Sequence, residues 1–249
     1  FLGQNFAKAY DVTFLNADGV AEHAWATSWG FSARMVGAAI MAHGDDAGLR
    51  LPPAVAPIQV AIVPIYRSDD ERASVLGVAE KLRADLAALG VRVRLDDRDQ
   101  HRPGYKFAEW ELKGVPLRIE LGPRDVAAER AVIARRLEGD KVEVALADIA
   151  SGMPDRLASA QRGLFADAVA YRDANTHEIT SYEDFASGVE EQGGFWRGAW
   201  CGEGSCEAEI SAATKATIRF LPTERSDPGG NCMHCGRPGF EVATWARAY

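Results

Sequence analysis

All four cysteines of this 249-residue chain fall in its last fifth, as Cys201-x4-Cys206 and, after the spacer 207–231, Cys232-x2-Cys235. Each short pair presents two thiolates from one turn. The spacer is long enough for both turns to close on a single tetrahedral Zn²⁺. Four sulfurs leave no open coordination position, so the predicted role is structural. Two disulfides are the competing arrangement. They suit small secreted chains that cannot build a core, and this chain is long and rich in core-forming residues. His234, inside the second pair, is an alternative ligand, with a solvent-facing role expected instead.

A second cluster of chemistry lies at Asp96–Lys113, where Asp96, Asp97, Arg98, Asp99, Arg102, Lys106, Glu109, Glu111 and Lys113 alternate with Tyr105, Phe107 and Trp110. Charged side chains beside aromatic rings are what base-edge reading and stacking require. A solvated surface loop is the plainer reading. Arg118 stands in an otherwise apolar run, 115–121, either on a solvent face or presenting its guanidinium to a ligand beside Arg124 and Asp125. Arg34 shares a helical face with Gly37, Ala38 and Met41, which leave room for a ligand. It is either a surface arginine or a phosphate contact where Trp29–Ser32 runs into a helix. His43 is a favourable charge at that helix's negative pole.

The elements that must position these residues divide into three parts. In 1–57, Gln4–Phe14 is predicted as a strand, Asn16–Gly19 as a turn and Glu22–Trp29 as a second extended run, a hairpin feeding a helix Ser32–His43 that stops at Gly44. Leu51–Pro57 is a proline-stiffened linker. In 58–155, Ile58–Ile65 has the continuous apolar character of a strand buried on both faces. A helix Arg72–Leu89, a strand Val91–Leu95, a polar loop, a short helix Tyr105–Lys113 and a strand Val115–Leu121 follow. Gly122–Asp125 is predicted as a turn, and 131–146 as a hairpin. In 156–249, an amphipathic helix carries Leu157, Leu164, Ala168 and Tyr171. A second helix Tyr182–Glu191 has Thr180 and Glu183 spaced as a capping box, and Glu207–Thr214 is a helix between the cysteine pairs. The fold class is α/β, α+β overall, with a mixed sheet covered by helices.

Apolar residues make up 47% of the chain and charged residues 26%, an ordinary globular balance. No window approaches the roughly 18 uninterrupted apolar residues of a membrane span, and Phe1–Phe6 lacks the basic and apolar regions of a signal peptide. The net charge of −8 argues against a broadly cationic nucleic-acid binder but allows one that reads a few bases.

Longer motifs carry a resemblance. Thr27–Arg34, His43-Gly-Asp-Asp46 and Leu51-Pro-Pro53 resemble the third signature motif and exit of a class II aminoacyl-tRNA synthetase catalytic domain. More narrowly, the resemblance is to prolyl-tRNA synthetases of the archaeal/eukaryotic-like type. Asp96–Asp99, Arg102-Pro-Gly104, Glu109–Glu120 and Gly122–Asp125 resemble that family's anticodon-binding domain. The cysteine cluster and Ala246–Tyr249 resemble its C-terminal zinc domain. The resemblance implies 1–57 as a remnant of the class II antiparallel catalytic sheet, 58–155 as a mixed five-stranded anticodon-binding domain and 156–249 as a small α+β zinc-binding domain.

It further implies that Arg34, as catalytic residue, and Ser32 contact ATP, and that Glu111, Arg118, Arg124 and Asp125 read the two guanines of the proline anticodon. The carboxylate of Tyr249 would reach toward the active site, and Cys201, Cys206, Cys232 and Cys235 would hold Zn²⁺. Arginine stands at 124 where relatives carry lysine. The implied activity is proline–tRNA ligation through prolyl-adenylate, with ATP and Mg²⁺, proline and tRNA(Pro), in a cytoplasmic homodimer that binds neither membrane nor DNA. Signature motifs 1 and 2 are not in this sequence. The chain is therefore expected to be a C-terminal half, unable to form prolyl-adenylate alone and exposing a sheet edge. A non-catalytic anticodon-binding protein with a structural zinc domain is the alternative.

Overall fold

The computed structural model describes residues 1–224 and 227–247. Its elements in chain order are α1 (Asn5–Ala9), β1 (Thr13–Leu15), β2 (Ala21–His23), α2 (Arg34–His43), β3 (Val60–Pro64), α3 (Asp69–Ala88), β4 (Val93–Leu95), α4 (Pro103–Leu112), β5 (Leu117–Leu121), α5 (Pro123–Ala127), β6 (Arg130–Arg135) and β7 (Lys141–Ala145). There follow α6 (Leu146–Ala174), β8 (Thr176–Glu178), α7 (Tyr182–Glu191), β9 (Phe195–Trp200), α8 (Gly204–Thr214), β10 (Ala216–Phe220) and β11 (Glu241–Arg247).

β3 is buried at every position, as its unbroken apolar run predicts. It lies inside a five-stranded sheet of order β4-β3-β5-β6-β7, parallel to β4 and β5, with β6 and β7 antiparallel. Alternation along the strand sends Val60 and Ile62 into the larger core with Val75, Leu82 and Leu86 of α3 and Ile149 and Met153 of α6. Ala61 and Val63 face the other way, onto Trp110 of α4 and Val115. Ser68 caps α3 by accepting the Glu71 N–H at 3.3 Å. A single helix, α6, runs through the expected division at 155–156. Its buried Ile149, Met153, Leu157, Ala160 and Leu164 form one stripe at steps of three and four. Pro154 within it has no N–H to return to the Ala150 carbonyl.

The C-terminal region is a four-stranded sheet of order β10-β11-β9-β8. Phe185 and Val189 of α7 and Ile210 of α8 pack with Trp196, Trp200, Ala216, Ala243 and Trp245. The hairpin at the start is shorter than predicted. β1 and β2 pair over three residues each, and Asn5–Ala9 is a helical turn with Ala7 buried beneath it. Alternation over so few residues does not separate one helical turn from a strand. Ala7 is the one buried residue among 1–43, and Trp29, Phe1 and Phe31 are 96%, 85% and 84% exposed.

Three smaller expectations are corrected. The linker is not straight: the Val55 and Ala56 N–H groups donate back to the Pro52 carbonyl, and Arg92 binds the carbonyls of Pro53, Ala54 and Ala56. A free arginine fork nearby outweighs proline's extended preference. Gly122–Asp125 begins α5, where the Asp125 carboxylate accepts the Gly122 N–H at 2.8 Å. α7 is capped by Ser181, not Thr180: Ser181 accepts the Asp184 N–H at 3.0 Å, and the Thr180 hydroxyl donates to the Asp184 carboxylate.

Candidate functional site

β9 and the segment after β10 bring the two cysteine pairs together. The four sulfurs lie within 4.8 Å of one another, with Cys206 and Cys232 at 3.7 Å, and none is in a disulfide. A tetrahedron with Zn–S bonds of about 2.3 Å sets its sulfurs about 3.8 Å apart, so this donor set fits such an ion. Burial pushes the Cys206 thiol up, and the Arg237 guanidinium draws Cys235 down to about 6. Arg237 reaches Cys235 at 3.4 Å and Cys201 at 3.7 Å, a cation beside a site whose ligands bind as anions. His234 is partly buried, its side chain 24% exposed. Its Nδ1 lies 3.5 Å from the Cys206 sulfur, and its ring packs edge-on against Tyr182.

A second site lies beside β5 and the C-terminal end of α4. A cavity of about 150 Å³ is walled by Glu111 and Arg118, together with Trp110, Arg135, Arg136 and Lys141. Arg118 is fixed on several sides. Its Nε and Nη2 donate to Glu120 Oε1 at 3.2 and 2.9 Å, Nη1 donates to the Phe107 carbonyl at 3.2 Å, and the guanidinium lies over the Phe107 ring at 4.5 Å. Lys141 donates to the other Glu120 oxygen at 2.8 Å. Three of the five N–H donors of Arg118 are thus engaged, which leaves one on each Nη. β5's alternation puts Arg118 and Glu120 on one face, so the sequence contained this pair without marking it.

α4, which carries Glu111, is anchored by a buried charge network. The Asp96 carboxylate accepts from Arg98 and from the Trp110 indole, and Lys106 donates to the Asp96 carbonyl. Burial opposes ionisation of Asp96, but the Arg98 and Trp110 hydrogen bonds and the Lys106 charge outweigh it and hold the carboxyl at about 2. The charged stretch Asp96–Lys113 is therefore neither a simple solvated loop nor wholly a ligand surface.

The other sequence-selected residues lie elsewhere. Arg124 and Asp125 stand on α5, outside the cavity wall, with Arg124 exposed and Asp125 engaged in its cap. Ser32 and Arg34 are both exposed at the start of α2, whose first turn has no side-chain cap. Tyr249 lies outside the described residues. Sequence reasoning missed Arg135, Arg136, Lys141, Glu120 and Arg237. Only tertiary contact distinguishes them from ordinary surface charges.

The family model described as "Anticodon binding domain" matches residues 59–156, and the one described as "Prolyl-tRNA synthetase, C-terminal" matches 182–249. The proline–tRNA ligases of Flavobacterium johnsoniae and Chloroflexus aggregans are each 45% identical over the whole chain. The chain spans about half the length of these curated relatives, 51% and 52%. The crystal structure of Cryptosporidium parvum prolyl-tRNA synthetase with halofuginone and AMPPNP superposes with a TM-score of 0.90 at 31% identity, covering all of this chain and 52% of that one. The Giardia lamblia enzyme in complex with prolyl-adenylate gives 0.89 at 30%, covering all of this chain and 54% of that one. In sequence, domain content and fold alike, the chain is similar to the anticodon-binding and C-terminal regions of prolyl-tRNA synthetases.

Proposed function

We propose that the chain supplies anticodon recognition, part of the ATP site and a structural zinc module to a proline–tRNA ligase. The observation that carries this reading is the convergence of Glu111 and Arg118 on one cavity, inside the region that matches the anticodon-binding model. A guanine presents O6 and N7 as acceptors and N1–H and N2–H₂ as donors. The two open donors of Arg118 suit the former, and the Glu111 carboxylate suits the latter. Arg124 and Asp125 are assigned to the second guanine of the proline anticodon, through the Arg124 guanidinium and the Asp125 oxygen not used in the cap.

In the parent reaction the proline carboxylate attacks the α-phosphate of ATP, giving prolyl-adenylate and pyrophosphate, and the terminal ribose hydroxyl of tRNA(Pro) then attacks the carbonyl carbon of the mixed anhydride, giving prolyl-tRNA and releasing AMP. Arg34, always charged, offsets charge on the ATP phosphates, and Ser32 helps place the nucleotide. Mg²⁺ accompanies ATP as part of the substrate. Cys201, Cys206, Cys232 and Cys235 hold Zn²⁺, which ties the turn after β9 to the segment before β11. Free thiols fit a cytoplasmic setting, and a homodimer is the expected assembly.

The test is a titration of the chain with proline tRNA, its two anticodon guanines intact or both replaced, at one moderate salt concentration. A loss of about 1–3 kcal/mol per altered base supports the reading. Equal binding of both tRNAs overturns the assignment of the four anticodon residues.

A further inference from the structure

Between the cavity and α2 runs a seam that the base-reading residues do not explain. Arg136, in the cavity wall, has a side chain only 8% exposed. Its Nη1 donates to Asp45 Oδ2 at 2.9 Å, its Nη2 to Asp45 Oδ1 and to the Gly48 carbonyl, and its Nε to the Glu111 carbonyl at 3.3 Å. One guanidinium therefore grips the backbone of a cavity residue and the segment that follows α2. The same guanidinium holds the Asp45 carboxyl below the usual carboxylate range.

Contacts independent of Arg136 close the same seam. The Leu49 N–H donates to the Leu112 carbonyl at 3.0 Å, and the Leu51 N–H to the Gly114 carbonyl at 3.2 Å. Gly48 has φ +129°, and a Cβ there would come within 2.6 Å of the Leu112 backbone. Glycine alone permits that approach. The C-terminal end of α4, with Glu111, is thus built jointly with residues 45–51.

We propose that Asp45, which does not line the cavity, is a positioning residue for recognition there. It acts through Arg136, so that occupancy of the cavity is linked to the segment ending α2. The proposal rests on the cavity's assignment as a guanine site. Aspartate and arginine meet through a two-pronged fork that fixes orientation as well as distance. Releasing one side frees Arg136 to pair with Glu111 or Asp140 across the cavity. Linkage between two binding events is reciprocal, so a base that orders the cavity wall orders the seam.

Hydrogen exchange on the unaltered chain, free and with an RNA stem–loop carrying the GG anticodon, measures this directly. The Gly48, Leu49 and Leu51 amides should slow severalfold with that loop and not with one whose guanines are replaced. In parallel, Asp45→Asn, with its fold checked by circular dichroism, should shrink the affinity ratio between the two loops about tenfold. Asp46→Asn should leave the ratio unchanged. An unchanged ratio in Asp45→Asn overturns the proposal. If Glu111→Gln still abolishes discrimination in that case, the guanine reading survives by itself. Should Asp45→Asn fail to fold, equal exchange with both loops is the overturning result. A wild-type chain that does not discriminate overturns both readings.

Discussion

The five-stranded α/β sheet and the C-terminal four-stranded sheet solve the same problem with different materials. The first buries aliphatic side chains on both faces of β3 and has helices on each side, with a core running from Val60 to Leu157. The second has a smaller core in which Phe185, Trp196, Trp200 and Trp245 supply most of the bulk. Among the described residues the indole N–H groups of Trp200 and Trp245 are buried without a partner, as are the Nε atoms of Arg72, Arg130 and Arg156 on the α/β side, so both regions carry a desolvation cost. The four thiols border that aromatic core, with Cys206 and Cys232 inside it. A metal there would be part of the folding energy, not an accessory. A large aliphatic core can hold a sheet by burial alone, whereas a small aromatic one would gain from a metal cross-link.

Metal removal should break the comparison most sharply. Apparent binding free energies of structural zinc are about 10–16 kcal/mol, so chelation or Cys232→Ser should unfold the C-terminal sheet. Near-UV circular dichroism of its tryptophans should collapse while far-UV signal from the α/β sheet persists. Simultaneous loss of both signals would show that the two regions fold as one unit.

Ile119→Ala, in the middle of β5, should cost about 2–5 kcal/mol of α/β stability in denaturant titration. It should leave the C-terminal transition nearly in place, because Ile119 packs only in the larger aliphatic core.

Acid acts on the α/β side through Asp96. Its folded pKa is depressed to about 2, so its contribution is complete above the ordinary carboxylate range and is lost as pH falls from about 4 to about 2. The full effect is about 2 kcal/mol. Asp96→Asn should remove that pH dependence, and an unchanged acid profile in this variant would locate the acid sensitivity elsewhere. Ser68→Ala should cost least, about 1 kcal/mol, by leaving the α3 N-terminus uncapped. A thermal melt that follows the α/β helices reads it.

Local pattern carried much of this molecule. The unbroken apolar run at Val60–Ile65, the helical stripe through Val75, Leu82 and Leu86, and the cysteine spacing each have a period or a count that maps onto one geometry. Where a segment is too short for a period to develop, as at Asn5–Ala9, or where two readings share one spacing, as at Thr180 and Ser181, the pattern did not decide. Glu111 and Arg118 were legible as candidates because both stand in long, distinctive motifs. That they share one cavity, and that Arg124 and Asp125 do not line it, was not legible.

The sequence by itself determined which residue types were available and which faces of the longer strands and helices were apolar, because those are properties of neighbours along the chain. Tertiary structure alone decided what each charge is bound to. Arg136 meets Asp45 across 91 residues of sequence, Arg118 is clasped by Glu120 and Phe107, and Arg237 turns toward the thiols. An ion pair leaves no periodic trace in sequence, and one arginine resembles another until the chain folds and its partners are brought within hydrogen-bonding distance.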